Sequence, residues 1–388
     1  MCGIAGILYQ CSGLNEELDL ASLIKGLEEF CQGSIDLSSP PFDDLLELEK
    51  SLNDLREYPA FAKLYADSSL RCQFEEKANA LELLEKNSQK QVLESSSPLS
   101  TQLIEKWNSF WVRLRDLTWL IKRDVLDNLE RVSLIIPDHL NHIPNLDAWK
   151  ITAVLNDMAR LEVRGRDSLG INISVNFEDR ANFQEFLDRL NKAGLNSIWN
   201  SRQGDLLLQN LSLRVDTSSD SPSVLFVYKV SQEVGSLGDN IINLRKIIKA
   251  DAILWLALTQ KVSTNIWSHT RWASNGVISV VNCHPVDERL ASSSPCEPSP
   301  YWITAALNGD VDNFQELIKK VCQNTDLSVP SSITTDAKII PVLVNYYKRS
   351  GCDMLEAFRK SVKSFEGSVA ISMSSSLEPN CEHFLQNA

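Results

Sequence analysis

The hydrophobic and polar positions divide the chain into a short apolar start, a long helical stretch and a mixed region. The apolar run at residues 2–9 predicts a strand. From Leu18 to about Ile136, apolar residues recur at three- and four-residue steps, with breaks at 38–41 and 95–100. That spacing is typical of amphipathic helices. Strands and helices alternate after a linker at 135–145, which favours an α+β fold with helices packed on sheets.

One predicted helix of the helical stretch has a wide aromatic and aliphatic stripe. Its members follow helical spacing: Trp107, Phe110, Trp111, Leu114, Thr118, Ile121 and Val125. The stripe predicts packing against neighbouring helices of a bundle. The alternative is a face, including Trp119, that binds a partner.

The mixed region predicts a series of short elements. Helices are predicted near 146–163, 180–193, 238–249 and 354–364. A further helix is predicted to start near 314, and another to follow a turn at 333–338 and to end near 349. Strands are predicted after the turn at Arg164, at 224–230, before 307–313, at 367–374, and in a segment ending at Trp267.

Charge and cysteine content narrow the function classes. The 388 residues include 38 basic and 51 acidic side chains, a net charge of −13, which argues against nucleic-acid or anionic-membrane partners. The sequence has no apolar run long enough to span a membrane, and its start lacks the basic region of a signal peptide. A cytoplasmic protein is therefore expected. The nine cysteines form no CxxC pair, so no zinc site is predicted and the thiols are expected to be reduced.

Cys2 directly follows the initiator methionine in the stretch MCGIAGIL. It could be an accident of sequence, a buried packing residue or an N-terminal nucleophile. Removal of Met1 would leave an α-amine with a pKa near 8, which can accept the thiol proton within the same residue. The sequence of this stretch alone leaves the three interpretations open.

Other residues supply what a glutamine-cleaving thiol requires. Asn308 and Gly309 are suited to donate hydrogen bonds to an oxyanion. Arg271 is suited to bind an α-carboxylate through two hydrogen bonds, and Asp336 to bind an α-ammonium group. Each residue alone is better explained by a turn or a surface position. Their combination with Cys2 indicates an amidohydrolase site.

Five stretches resemble the glutaminase domain of the class II glutamine amidotransferases. They are MCGIAGIL, LNDMARLEVRGRDSLGI, HTRWASNGVISVVNCHP, LNGDVDNFQELIKK and the segment from Thr334 to Ile371. Within that family, RGRDS and HTRWAS favour the glutamine–fructose-6-phosphate aminotransferase branch. The resemblance covers residues 1–10 and about 150–375 in collinear order.

The resemblance implies a fold and a domain organisation. The fold is an α+β, four-layer αββα N-terminal nucleophile hydrolase sandwich. Residues 1–11 and 146–388 would form the glutaminase domain. Residues 12–145, which the family pattern does not cover, would be a large all-helical insertion.

The resemblance also implies roles for individual residues. Cys2 would be the nucleophile, and Asn308 and Gly309 would form the oxyanion hole. Arg271 and Asp336 would bind the carboxylate and the ammonium group of L-glutamine.

Three further residues are assigned to substrate binding by the resemblance. Arg164 would support the region of the N-terminal amine, Trp272 would lie on a loop that closes over the site, and Ser274 would place a hydroxyl near the bound amino acid. The chain departs from the family pattern at several positions, which puts the reaction rate in doubt: Val163, Arg166, Asn275, Leu307, Ala337 and Lys338.

The sequence thus predicts hydrolysis of L-glutamine to glutamate and ammonia, without a metal or an organic cofactor. A sugar-phosphate acceptor domain is expected, either in a longer chain of which this is a fragment or in a separate subunit, and a homodimer stays open. Two alternatives remain: a non-catalytic regulatory or interaction module on the same scaffold, and a stand-alone amidohydrolase with another amide substrate.

Overall fold

The computed structural model describes most of the chain, in segments. They are residues 2–7, 18–33, 36–95, 100–140, 145–231, 236–273, 276–292, 299–323, 325–379, 381 and 383–387, without the side chains of 386 and 387. The chain divides into two compact units: a helical unit, Cys11–Trp149, and a sheet unit, Met1–Gln10 with Lys150–Ala388.

The helical unit consists of amphipathic helices that bury their apolar stripes. They are α1 (Leu20–Gln32), α2 (Phe42–Leu52), α3 (Tyr58–Ala66), α4 (Ser68–Leu93), α5 (Thr101–Trp119) and α6 (Asp127–Ile135), with π-helical geometry at Leu120–Leu126. Local sequence sets the helix starts. Asp19 and Asp67 accept hydrogen bonds from the first free N–H groups of α1 and α4.

The aromatic stripe lies on α5 and packs inside the helical unit. Trp107 and Phe110 are fully buried, and the Trp111 indole N–H donates to Ser88 Oγ at 2.9 Å. The packing interpretation is therefore correct. A partner-binding face made of all three tryptophans is not, because Trp119 is 59% exposed whereas Trp107 and Trp111 are in the core.

The sheet unit combines strands and helices. Its strands are β1 (Gly3–Ile7), β2 (Ser168–Phe177), β3 (Leu213–Asp216), β4 (Ser223–Ser231), β5 (Val262–Arg271), β6 (Val286–Asp287), β7 (Ala291–Ser292), β8 (Ile303–Gly309), β9 (Leu327–Ser328), β10 (Val369–Ser375) and β11 (His383–Asn387). Its helices are α7 (Leu146–Leu161), α8 (Arg180–Lys192), α9 (Asn196–Gln203), α10 (Asp239–Ala250), α11 (Ala252–Leu258), α12 (Phe314–Cys322), α13 (Ile339–Arg349) and α14 (Met354–Lys363). The predicted mixture of helices and sheets is therefore present.

Two sheets organise this unit. A five-stranded sheet has the order β1-β5-β2-β4-β3, and a four-stranded sheet has the order β11-β10-β8-β6. The paired strands are antiparallel. The ends of β1, β5 and β8 carry the residues that the sequence singled out.

Side chains from the two sheets meet directly. Thr304 Oγ1 on β8 donates to Asn172 Oδ1 on β2 at 3.0 Å, and the Trp267 indole of β5 donates to Ser374 on β10 at 2.9 Å. Behind the four-stranded sheet, α13 and α14 bury an apolar cluster that includes Leu343 and Phe358. The strands that carry the candidate site are thus fixed from both faces.

Several elements differ from the sequence expectation. Strand β5 continues to Arg271 instead of ending at Trp267, because it pairs with β2 along its whole length and with β1 over residues 266–270. Elements α9, α11, β3 and β11 were not predicted. They are short, and strands of this length are set by pairing with neighbours rather than by local periodicity. No helix among the described segments is long and apolar enough to cross a membrane.

Candidate active site

Cys2 lies at the start of β1, where the strand runs beside the end of β5. The backbone N–H of Gly3 donates to Thr270 Oγ1 at 3.1 Å, and Gly3 pairs with Thr270 in the sheet. A Cβ on Gly3 would lie 2.7 Å from Cβ of Leu161, so a larger residue would displace the strand. The glycine after the cysteine therefore permits the close approach that positions the thiol.

The Cys2 thiol contacts the backbone of Trp272. The Trp272 N–H donates to Sγ at 3.3 Å, and the thiol lies 3.6 Å from the Trp272 carbonyl oxygen. Burial raises the pKa of the Cys2 thiol, while the Trp272 N–H and the charge of Arg271 act in the opposite direction. Because the net shift is upward, the reactive thiolate requires a nearby base.

Asn308 holds the backbone of Cys2 from the end of β8. Its Oδ1 accepts the Cys2 N–H at 3.4 Å, and its Nδ2 donates to the Cys2 carbonyl oxygen at 3.1 Å. An amide NH₂ has two protons, so a second N–H remains for another acceptor. Asn308 is thus close enough to Cys2 to donate a hydrogen bond to the oxyanion of a carbonyl group that the Cys2 sulfur attacks.

Gly309 occupies a backbone conformation that favours glycine. Its φ is +130°, and a Cβ there would lie 1.9 Å from the carbonyl oxygen of Ser368. Any side chain would push β8 away from β10. Gly309 is therefore required by the sheet as well as being suited to oxyanion binding through its N–H.

Arg271 and Asp336 are both buried beside this strand end. The Arg271 guanidinium donates to the Val277 carbonyl oxygen at 3.4 Å, and burial lowers its pKa, although Cys2 and Asp336 are near enough to act against that shift. Asp336 Oδ2 accepts the N–H of Val311 at 2.8 Å, two residues after Gly309. Burial raises the pKa of Asp336. The two charges assigned to glutamine recognition thus lie near each other.

The segment after β5 is held by residues that the sequence analysis did not single out. Asp167 accepts the N–H of Ala273 at 2.7 Å, and its own N–H donates to the carbonyl oxygen of Arg271. The Trp272 side chain is 56% exposed. Asp167 lies within the RGRDS motif, and its position in that motif was the sequence signal that could have identified it.

The structure does not connect the predicted substrate-binding residue Arg164 with the thiol. The Arg164 side chain is exposed, and among the described parts of the chain no hydrogen bond or ion pair is recorded for it. Ser274 lies outside the described residues, as does Asn275.

Two buried histidines contact the peptide of Leu307, the residue before Asn308. The His269 ring donates through Nε2 to the Leu307 carbonyl oxygen at 3.0 Å, and His284 Nδ1 accepts the Leu307 N–H at 3.4 Å. Burial lowers the pKa of His269 to about 3 and the pKa of His284 well below its usual value. Both rings are therefore neutral at physiological pH. The HTRW and NCHP stretches contain these histidines, but the spacing in sequence did not indicate their shared target.

Lys338, a departure from the family pattern, belongs to a buried ion cluster. Its ammonium group donates to Asp287 Oδ1 at 3.1 Å and to the Asp287 carbonyl oxygen at 2.7 Å. The Arg214 guanidinium bridges Asp287 and Glu288, at 2.9 Å from each. The positive charge at Lys338 is thus compensated within this cluster.

The sequence comparisons find glutamine–fructose-6-phosphate aminotransferases among the curated proteins. No family model matches the chain. Glutamine–fructose-6-phosphate aminotransferase from Sulfurisphaera tokodaii is 27% identical over 36% of this chain and 22% of that protein. The enzyme of the same name from Sulfolobus acidocaldarius is 31% identical over the same shares, and that from Geobacillus kaustophilus is 27% identical over 47% of this chain and 27% of its own length.

The matched region is thus about a quarter of the length of each relative or less.

Among solved structures, a glutamine phosphoribosylpyrophosphate amidotransferase from B. subtilis complexed with ADP and GMP aligns at 16% identity over 53% of this chain and 35% of its own. Its TM-score of 0.26 is too low to bear on the fold. The sequence comparisons nevertheless confirm the predicted resemblance: this chain is similar to the glutamine–fructose-6-phosphate aminotransferases, of the class II glutamine amidotransferase type.

Proposed function

We propose that the sheet unit is a glutaminase domain that hydrolyses L-glutamine through a thioester on Cys2. The observation that carries the proposal is the placement of Asn308 beside Cys2. Its amide contacts both backbone polar groups of the cysteine although 306 positions separate the two residues. The chain is also similar to glutamine–fructose-6-phosphate aminotransferases, whose name includes glutamine, and this similarity supports glutamine as its substrate.

The proposed reaction begins after removal of Met1, which converts the Cys2 nitrogen from an amide to an amine. The amine takes the thiol proton, and the thiolate attacks the γ-carbonyl carbon of glutamine. The second N–H of Asn308 and the N–H of Gly309 stabilise the tetrahedral oxyanion. The ammonium group returns its proton to the departing nitrogen, and ammonia leaves as the C–N bond breaks. Water then cleaves the thioester to release glutamate.

Substrate recognition follows from the buried charges. The Arg271 guanidinium would bind the α-carboxylate of glutamine, and the Asp336 carboxylate its α-ammonium group. Trp272 would cover the bound amino acid, and Ser274 and Arg164 would contribute from the flanking segments. The pKa of Asp336 is raised by burial, so a bound ammonium group would favour its charged form.

We also propose the finer architecture. The two sheets and their helices would form the four-layer αββα sandwich of N-terminal nucleophile hydrolases, with residues 12–145 as a helical insertion in that domain. The ammonia would pass to a sugar-phosphate acceptor site on the same longer chain or on another subunit. The names of the relatives support fructose 6-phosphate as the acceptor. A cytoplasmic location and a homodimer remain part of the proposal.

The test is glutamate release from glutamine by the full chain. Intact mass first establishes removal of Met1. Cys2→Ala is expected to abolish glutamate release, whereas Cys72→Ala, at an exposed cysteine of the helical unit, is expected to leave it unchanged. A chain that retains Met1, or activity that survives in Cys2→Ala, would overturn the mechanism.

The same assay separates the alternatives. Absence of turnover with Met1 removed would favour a non-catalytic module on this scaffold. Release of ammonia from another amide, with none from glutamine, would favour a stand-alone amidohydrolase.

A further inference from the structure

The connection between β10 and β11 brings three potential metal ligands together, away from the candidate active site. A carboxylate oxygen of Glu378, the thiol of Cys381 and a ring nitrogen of His383 all lie within 4.8 Å of one another. His383 Nε2 is 2.7 Å from Glu378 Oε2 and 4.0 Å from Cys381 Sγ. Nothing in the glutaminase chemistry uses these groups.

The backbone that presents these ligands is fixed by hydrogen bonds. The N–H of Cys381 donates to the Glu378 carbonyl oxygen at 3.0 Å, which closes a turn between the first two ligands. Asn176 of β2 donates to the Pro379 carbonyl oxygen at 3.3 Å, and Asn265 of β5 to that of Cys381 at 3.5 Å. The five-stranded sheet thus holds the turn at two points.

His383 is fixed as well. It is the first residue of β11, which pairs with Met373 of β10 in the four-stranded sheet. Its ring packs against the Phe358 ring, with centroids 5.6 Å apart, and its side chain is only 10% exposed. The histidine therefore has little freedom to turn away from the other two ligands, which reduces the entropy lost on metal binding.

We propose that Glu378, Cys381 and His383 form a zinc site. Thiolate, imidazole and carboxylate are all ligands that Zn²⁺ accepts, whereas Ca²⁺ and Mg²⁺ prefer oxygen alone. Bond lengths of about 2.0–2.3 Å around a tetrahedral ion place ligand atoms about 3.5 Å apart. The His383–Glu378 distance of 2.7 Å and the His383–Cys381 distance of 4.0 Å lie on either side of that spacing, and the third pair of ligand atoms is within 4.8 Å, so small side-chain shifts complete the site.

The charges also suit a divalent cation. A thiolate and a carboxylate with a neutral imidazole give a net charge of −2, which one Zn²⁺ balances. Cys381 is exposed, so the fourth coordination position faces solvent and takes water. Binding releases the thiol proton, and affinity is therefore expected to fall at acid pH.

Metal binding at this site would stabilise strand β11 at the edge of its sheet. Strand β11 is at the edge of the four-stranded sheet, next to β10, which pairs with the strand carrying Asn308. A metal bond between the β10–β11 turn and the start of β11 holds that edge in place. The expected effect of the metal is to stabilise this edge of the sheet, independently of glutamine hydrolysis.

The experiment uses the full chain, reduced and freed of metal with a chelator. Co²⁺ is titrated in place of zinc, because a thiolate ligand produces a thiolate-to-cobalt charge-transfer band, and Zn²⁺ is then added to displace it. We expect one Co²⁺ per chain, full displacement by Zn²⁺, and a rise in the midpoint of thermal unfolding with Zn²⁺.

Matched variants locate the binding. Cys381→Ser is expected to remove the charge-transfer band. His383→Gln and Glu378→Gln are expected to weaken affinity about 100-fold or more, since even groups that only hydrogen-bond to a metal ligand contribute about 10–100-fold. Cys72→Ser, at another exposed thiol, is expected to bind as the unsubstituted chain does. The far-ultraviolet circular dichroism of each metal-free variant checks its fold.

Two outcomes overturn the proposal. One is a charge-transfer band that persists in Cys381→Ser. The other is a band that is lost in Cys381→Ser but unaffected in His383→Gln and Glu378→Gln, which would mean that an isolated thiol binds the ion. Glutamate release, measured in parallel with and without metal, reports on the glutaminase separately.

Discussion

At the scale of single residues, the candidate site depends on side chains that never touch a substrate. His269 and His284 hold the two polar groups of the Leu307 peptide, and that peptide leads directly into Asn308. Their rings lie 4.3 Å apart between the sheets. Burial lowers both pKa values, and His284 can accept the Leu307 N–H only while its ring is neutral.

This predicts a pH dependence of stability. Between an ordinary pKa of about 6.5 and the value of about 3 for His269, the unfolded chain binds a proton that the native chain does not. The free energy of unfolding should therefore fall as pH drops below about 6.5, by up to about 1.4 kcal/mol per pH unit for each histidine. Urea unfolding at pH 7, 6 and 5 measures this slope, and His269→Gln should reduce it. An equal slope in the variant would contradict the assignment.

Asn308 gives a second prediction at this scale. Asn308→Ala removes the proposed oxyanion donor and should lower kcat for glutamine about 10²- to 10³-fold, with a much smaller change in KM. Asn313→Ala is the control: Asn313 also hydrogen-bonds neighbouring backbone, at Ser364 and Glu366, but away from Cys2. Equal losses of kcat in both variants would point to a general structural effect.

At the scale of elements, strand β2 and the segment around His284 pack without room for a side chain between them. A Cβ on Gly170 would lie 1.8 Å from the His284 carbonyl oxygen. Gly170 pairs with His269 on β5. One continuous packing unit therefore contains this glycine, the two histidines and strand β8. A displacement in β2 is therefore transmitted to Asn308.

Gly170→Ala should accordingly destabilise the protein by about 3 kcal/mol or more, since the clash is with backbone that cannot rotate away. Gly204→Ala is the matched control, because it has no heavy atom within 4 Å and an ordinary φ of −78°. Thermal unfolding of both variants checks the difference. A Gly170→Ala protein as stable as the control would mean that β2 can move.

At the scale of the whole molecule, each of the two compact units buries apolar side chains. The helical unit buries Trp107, Phe110 and Leu114 of α5 within itself. The sheet unit buries its own apolar cluster under α13 and the polar contacts between its sheets. Each unit therefore has the apolar burial that independent folding requires.

A peptide of residues 18–140 is expected to be helical and to melt cooperatively by itself. Within it, Trp107→Ala should cost about 3–5 kcal/mol, because it empties a fully buried position. Trp119→Ala, at an exposed tryptophan, should cost less than about 1 kcal/mol. Circular dichroism melts test both. A peptide that melts without cooperativity would show that this unit needs the rest of the chain.

Local pattern predicted the long elements well. The periodic stripe placed α5, and the apolar runs placed β2 and β4 to within a few residues. The short elements were missed because their stability comes from partners distant in sequence. Strand β11 exists through pairing with β10, and the extension of β5 to Arg271 through pairing with β1 and β2.

The sequence by itself determined the identity of the candidate chemistry. It placed a cysteine second in the chain and supplied Asn308-Gly309, Arg271 and Asp336. The relatives confirm the family resemblance of the chain as a whole. Tertiary structure decided which groups meet. Strand pairing puts the Trp272 N–H on the Cys2 sulfur, two histidines on the peptide of Leu307, and Glu378, Cys381 and His383 around one point. Hydrogen-bond registers between distant strands set these contacts, and such registers depend on the packing of the whole sheet rather than on local periodicity.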